Sequence, residues 1–230
     1  MSNKNKPEDI DRNIRIMEKV EAIYDKQRHE IVLCLSVCFI STCVWMLLVA
    51  LWEMLGRPIA EEKMTYGIEI IAVIMMHFIL FSTDIRFANF GVNKKNLKRS
   101  IIRGLGISLV LCVLLFIYAY FKEGGIPALD LSEFTFSYML TSILQEFLSR
   151  GVFFNCFLRI YTNRHGKLLA IVGSSLMFAV LHMFYGFYFM ICALILSILL
   201  CIIYLYDDNI WGVSIVHYFV GTIVFVLKML

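Results

Sequence analysis

Five polar side chains sit in stretches that are otherwise almost wholly apolar. Gln145, Glu146 and Arg150 lie in LTSILQEFLSRGVFF, His182 lies in FAVLH, and His217 lies in SIVHYFVG. A carboxylate and two imidazoles are groups that take up and return protons near neutral pH. They are also groups that bind a divalent metal, and Glu146, His182 and His217 would make a three-ligand zinc set with one position open. No local ligand motif such as HExxH supports that set. Glu146 and Arg150 are four residues apart, so on a helix they share a face. Taken alone, such a pair is equally a self-neutralising fastener between helices. His77 is read as a packing residue, and His29 and His165 as surface residues in polar segments.

The segments that carry these residues are the length of membrane crossings. The chain has 230 residues, of which 60% are hydrophobic and only 17% charged. A soluble domain carries roughly a quarter charged residues. Residues 168–206 hold no Asp, Glu, Lys or Arg at all. A spanning helix needs about 20 apolar residues, which predicts an all-α polytopic transmembrane bundle. Seven spans are expected, at 31–52, 68–83, 102–121, 135–159, 167–185, 187–206 and 209–229. At about 1.5 Å per residue, Glu146 lies roughly 18 Å along span four from Phe134. His182 lies roughly 22 Å along span five from Lys167, and His217 roughly 12 Å along span seven from Asn209. All three are then deep in a hydrocarbon core about 30 Å thick, where an ionisable group is a functional candidate by default.

Basic residues set the expected orientation. They crowd residues 1–30, the loop from Arg86 to Arg103, and the turn from Arg159 to Lys167, whereas Arg57, Lys63 and Lys122 lie on the other side. The positive-inside rule places the N-terminus in the cytoplasm and the C-terminus outside, with the plasma membrane as the expected location. The loop from Lys94 to Arg103 is a topology signal beside anionic lipid, and no nucleic-acid partner is expected. Residues 1–30 are a polar tail in which Ile10, Ile14, Met17, Val20 and Tyr24 recur at helical spacing. They form either an interfacial amphipathic helix or an extension of the first span. Residues 31–230 form one transmembrane domain, its first span a retained anchor. The seven cysteines fall in apolar segments without CxxC spacing and are read as small hydrophobes. Trp52 and Trp211 are expected as interface anchors, and Asn209 as part of a cap on the last helix.

The order of these motifs resembles the CAAX protease and bacteriocin-processing (Abi) family of intramembrane proteases. That family has a Glu-Glu-x-x-x-Arg motif, then Phe-x-x-x-His, then His-x-x-x-Asn or His-x-x-x-Asp. Here they read QEFLSR (Gln145 to Arg150), Phe178 with His182, and His217 with Gly221, over about residues 134–222. The resemblance implies an endopeptidase acting on membrane-associated, prenylated or otherwise hydrophobic peptide or membrane-protein substrates. It also implies a place in bacteriocin processing or self-immunity. The family's first Glu activates water with help from the histidines, and its late Asn holds the developing oxyanion.

Two positions depart from the pattern. Gln145 stands where the family has its first Glu, and a neutral amide is no general base. Gly221 stands where it has Asn. The retained set is Glu146, Arg150, His182 and His217. Five readings remain open on the sequence: Glu146 or a histidine as base, a metal site, a pseudoprotease that binds without cutting, Gln145 as an engineered inactivating change, and a transporter or channel. Against the last, no repeat of halves is visible.

Overall fold

The computed structural model describes residues 7–56, 61–125 and 127–229. Helices α1 (Pro7–Met54), α2 (Glu61–Ser82) and α3 (Leu97–Glu123) come first. A fourth rod runs unbroken from Phe136 to Ile160. It comprises α4 (Phe136–Glu146), a π-helical stretch (Phe147–Phe154) and α5 (Asn155–Ile160). Then come α6 (Gly166–Leu181), α7 (Phe187–Asp207) and α8 (Ile210–Val226). The seven expected spans correspond to seven rods, and the described residues contain no strand.

Among the described residues, three helices are long and apolar enough to cross a membrane, those over Arg15–Met54, Leu97–Glu123 and Phe187–Asp207. Tyr66–Ser82, Gly166–Leu181 and Ile210–Val226 are apolar but shorter. Large apolar side chains such as Leu47, Val73, Leu109, Leu114 and Ile195 are at least 49% exposed. Water would not tolerate so broad an apolar surface, whereas lipid does. The first helix is continuous from Pro7 to Met54, which is the second of the two expectations for the tail, an extension of the first span, whereas the fifth span ends at Leu181 rather than Tyr185. A 3-10 turn, Met183–Tyr185, follows α6, and Gly186 at φ +103° then turns the chain into α7. That φ suits glycine alone, so the helix cannot continue through it.

Small residues let the core helices meet. A Cβ on Gly104 would stand 2.5 Å from the Gly212 carbonyl oxygen, and one on Gly212 would stand 2.4 Å from the Ser100 carbonyl oxygen. In lipid, packing rather than water exclusion drives helix association, so α3 and α8 gain from this close approach. At one end of the bundle, buried Asp207 accepts from Arg103, with Arg99 at 3.4 Å. Asn209 caps α8 by accepting from the Trp211 N–H, and its amide donates to the carbonyls of Asn93 and Lys95. These bonds gather the basic loops at that end. All seven cysteines are free.

Candidate active site within the bundle

The rod that carries the first motif changes pitch at the motif. Glu146 is the last α-helical residue, and the wider π turn begins at Phe147. A π turn shifts the backbone bonding partner by one residue, and such turns are frequent at functional sites. Here Asn155 braces it. The Asn155 amide donates to the carbonyls of Arg150 at 2.9 Å and Gly151 at 3.0 Å, and it lies 2.7 Å from the Tyr204 hydroxyl. Gly151 faces the Phe90 carbonyl oxygen so closely that a Cβ would stand 2.9 Å from it. The signal for this brace was a lone polar Asn155 in an apolar run, which the sequence analysis passed over.

Glu146 and Arg150 form the centre of a sealed network. Both side chains are fully buried. Glu146 Oε1 accepts from Arg150 at 2.9 Å and from His217 Nδ1 at 2.8 Å. The other guanidinium arm donates to the Ser197 hydroxyl at 2.7 Å and the Ser197 carbonyl at 3.0 Å. The guanidinium carbon also lies 4.7 Å from the centre of the Phe178 ring. One ion pair therefore fastens the fourth rod to α6, α7 and α8. A carboxylate only accepts, so His217 Nδ1 carries its hydrogen. Ser197 was not singled out in the sequence, because one serine in a long apolar helix has no spacing partner to mark it.

His182 makes no hydrogen bond to that network but meets it across the Phe178 ring, which also lies against Arg150 and, at 5.4 Å, His217. It follows the last residue of α6 rather than lying within the helix, as the span boundary had implied. Its Nδ1 bonds the Phe178 carbonyl at 2.7 Å, and its ring lies 4.4 Å from the Phe178 ring. The carbonyl only accepts, so Nδ1–H is the donor and neutral Nε2 keeps a lone pair. His182 lines a crevice together with Gln145, Tyr138, Trp45, Phe189 and Phe225. Glu146 and His217 are absent from its wall. Gln145 is 6% exposed, and its Oε1 meets no partner among the described residues. It is a buried acceptor at the wall of a crevice, open to a donor from water or from a ligand.

The three candidate metal ligands do not gather. Glu146 and His217 pair with each other, while His182 is turned to its own backbone. Among the described residues no group of three His, Cys, Asp and Glu side chains is placed to hold a metal. The donor set present does not fit a resident zinc. His77 lies exposed against Phe81, and His29 and His165 are exposed.

Residues 127–223 match the family model described as Rce1-like, type II CAAX prenyl endopeptidase. No curated protein and no solved structure matches the chain. The matched segment holds Gln145, Glu146, Arg150, His182 and His217.

Proposed function

We propose, from the match of residues 127–223 to the Rce1-like type II CAAX prenyl endopeptidase model, that this chain is an intramembrane endopeptidase with His182 as its base. One observation carries the reading. His182 is fixed through Nδ1 at the wall of a crevice that Gln145 also lines, and Gln145 Oε1 lacks a partner among the described residues. A substrate backbone N–H donating to Gln145 Oε1 would satisfy that acceptor and present the next carbonyl to the crevice. Water then attacks the carbonyl carbon as His182 Nε2 takes its proton. The tetrahedral adduct collapses, the C–N bond breaks, and His182 returns the proton to the leaving amine. Glu146, Arg150 and His217 hold the helices in place and do not meet the substrate.

The position of the crevice bears on the substrate. Its wall draws on the C-terminal parts of α1, α6 and α8, the N-terminal parts of α2 and α7, and the α4 segment of the fourth rod from Tyr138 to Gln145. That is the end of the bundle opposite the basic loops. With those loops in the cytoplasm and the chain in the plasma membrane, the crevice opens toward the outer leaflet. This favours exported hydrophobic peptides, such as bacteriocin precursors, over prenylated proteins held on the inner face. A binding role without turnover is the second reading, and Gln145 itself favours it, being a neutral amide where the family motif has a carboxylate.

The test uses the full chain in lipid vesicles with two internally quenched peptides, one farnesylated and ending Cys-Val-Ile-Met, the other hydrophobic and unprenylated. Cleavage by the wild type, reduced about 100-fold or more in His182→Ala, is expected. Peptide binding with no cleavage would leave the binding reading in its place.

A further inference from the structure

The crevice contains a hydroxyl that the mechanism above does not use. Tyr138 lies seven residues before Gln145, about two turns of α4, so it points to the same side. It lines the crevice with Gln145 and His182. Its ring is clamped by aromatic neighbours from α8. His217 stands edge-on with centroids 6.3 Å apart at 87°, and Phe225 edge-on at 6.1 Å and 84°. Tyr218 lies tilted at 6.0 Å.

The hydroxyl end rests against bare backbone. A Cβ built on Gly221 would stand 1.9 Å from the Tyr138 oxygen and 2.9 Å from the ring carbon that bears it. No side chain at 221 is compatible with this placement of the phenol. Gly221 thus serves the tyrosine: its missing Cβ is the notch into which the hydroxyl fits.

A fixed O–H at this point has a chemical use. Attack on a peptide carbonyl moves negative charge onto its oxygen, and a preorganised donor in a site poor in water stabilises that charge strongly. A phenol remains a donor through the neutral pH range. Being clamped on several sides, Tyr138 needs little reorganisation when the charge develops. We infer that Tyr138 is a catalytic residue of this site, its O–H donating to the substrate carbonyl oxygen as that oxygen becomes an oxyanion. The inference rests on the reading of the crevice as a peptide hydrolase. The phenol keeps its proton throughout, no bond to tyrosine forms, and His182 alone exchanges protons with water and the leaving amine.

The experiment uses the same vesicles and the two quenched peptides, with two added probes. One is a peptide aldehyde, whose hydrate resembles the tetrahedral adduct. The other is the parent peptide with an uncleavable N-methylated bond. Tyr138→Phe retains the ring and its packing. It should lower kcat about 100- to 1,000-fold with KM nearly unchanged, and weaken aldehyde binding while binding of the N-methylated peptide stays as in the wild type. Gly221→Ala, which displaces the phenol while leaving every donor in place, should lower kcat in the same direction. Wild-type cleavage matched by Tyr138→Phe would overturn the role of Tyr138 and leave the hydrolase standing. A wild type that cleaves neither peptide would remove the hydrolase reading, and the inference with it.

Discussion

Glu146 and Arg150 invite a catalytic role by their chemistry, and in the mechanism proposed above they act by holding the helices instead. One guanidinium arm meets Glu146 Oε1 and the other is spent on Ser197, while Glu146 Oε2 and Arg150 Nε are buried without a hydrogen-bond partner among the described residues. Removing one member of a buried pair leaves the other charge without compensation, at a cost of about 3–5 kcal/mol. Glu146→Ala and Arg150→Ala should therefore each lower the thermal midpoint of the detergent-solubilised protein markedly. His182→Ala should move it less, because its ring packs against Phe178, Tyr185 and Phe189 but its loss leaves no buried charge without compensation. Equal melting of all three variants would contradict the division between a sealed network and an open crevice. His182 also sets the expected pH behaviour. Its Nε2 acts as a base only while unprotonated, so the cleavage rate should fall as pH drops and the imidazole gains a proton. A rate that stays flat on the acid side would point to a different base.

The fourth rod shows how an element can be built to aim side chains. Its π turn begins one residue after Glu146 and ends at Phe154, just before Asn155, whose amide reaches back to two carbonyls within the turn. Loss of that amide in Asn155→Leu leaves buried carbonyls short of donors, at a cost of about 1–3 kcal/mol. The variant should unfold earlier. It should also lose cleavage activity, because the facing direction of Arg150 depends on the pitch between them. Stability falling with activity intact would show that the π turn is not needed to place the site. The α3–α8 contact makes an independent prediction. Gly212→Ala puts a Cβ against the Ser100 backbone, which cannot yield as a flexible side chain would. A loss of about 1–3 kcal/mol is expected from this overpacking.

At the level of the bundle, the two ends differ in chemistry. One end gathers the basic loops and is pinned by Asp207, Arg103 and Asn209. The other carries the mouth of the crevice with exposed aromatics such as Phe187 and Tyr188. In a cysteine-free background, a cysteine introduced at Lys95 should be protected from a membrane-impermeant maleimide added to intact cells. One introduced at Tyr188 should be labelled. The reverse pattern would put the crevice on the cytoplasmic side and restore prenylated cytoplasmic proteins as the favoured substrates.

Much of this architecture is written in the order of residues. Uncharged runs of crossing length specify seven helices, since lipid admits no unpaired backbone. The spacing of Glu146 and Arg150 puts them on one face, and the histidines lie on helices that must meet in a bundle. What the linear order does not contain is which polar groups face each other and which face a space. The sequence treats Glu146, His182 and His217 as one set, whereas the tertiary structure splits them. Glu146 and His217 close on each other, and His182 turns to the crevice with Gln145. That split depends on where α6 stops, on the pitch of the π turn and on the packing of α8 against α4. These are contacts between segments far apart in the chain, and periodicity within one segment does not encode them. Gly221 shows this most plainly. In the sequence it is a residue missing a side chain, and in the folded molecule it is the space that Tyr138 fills.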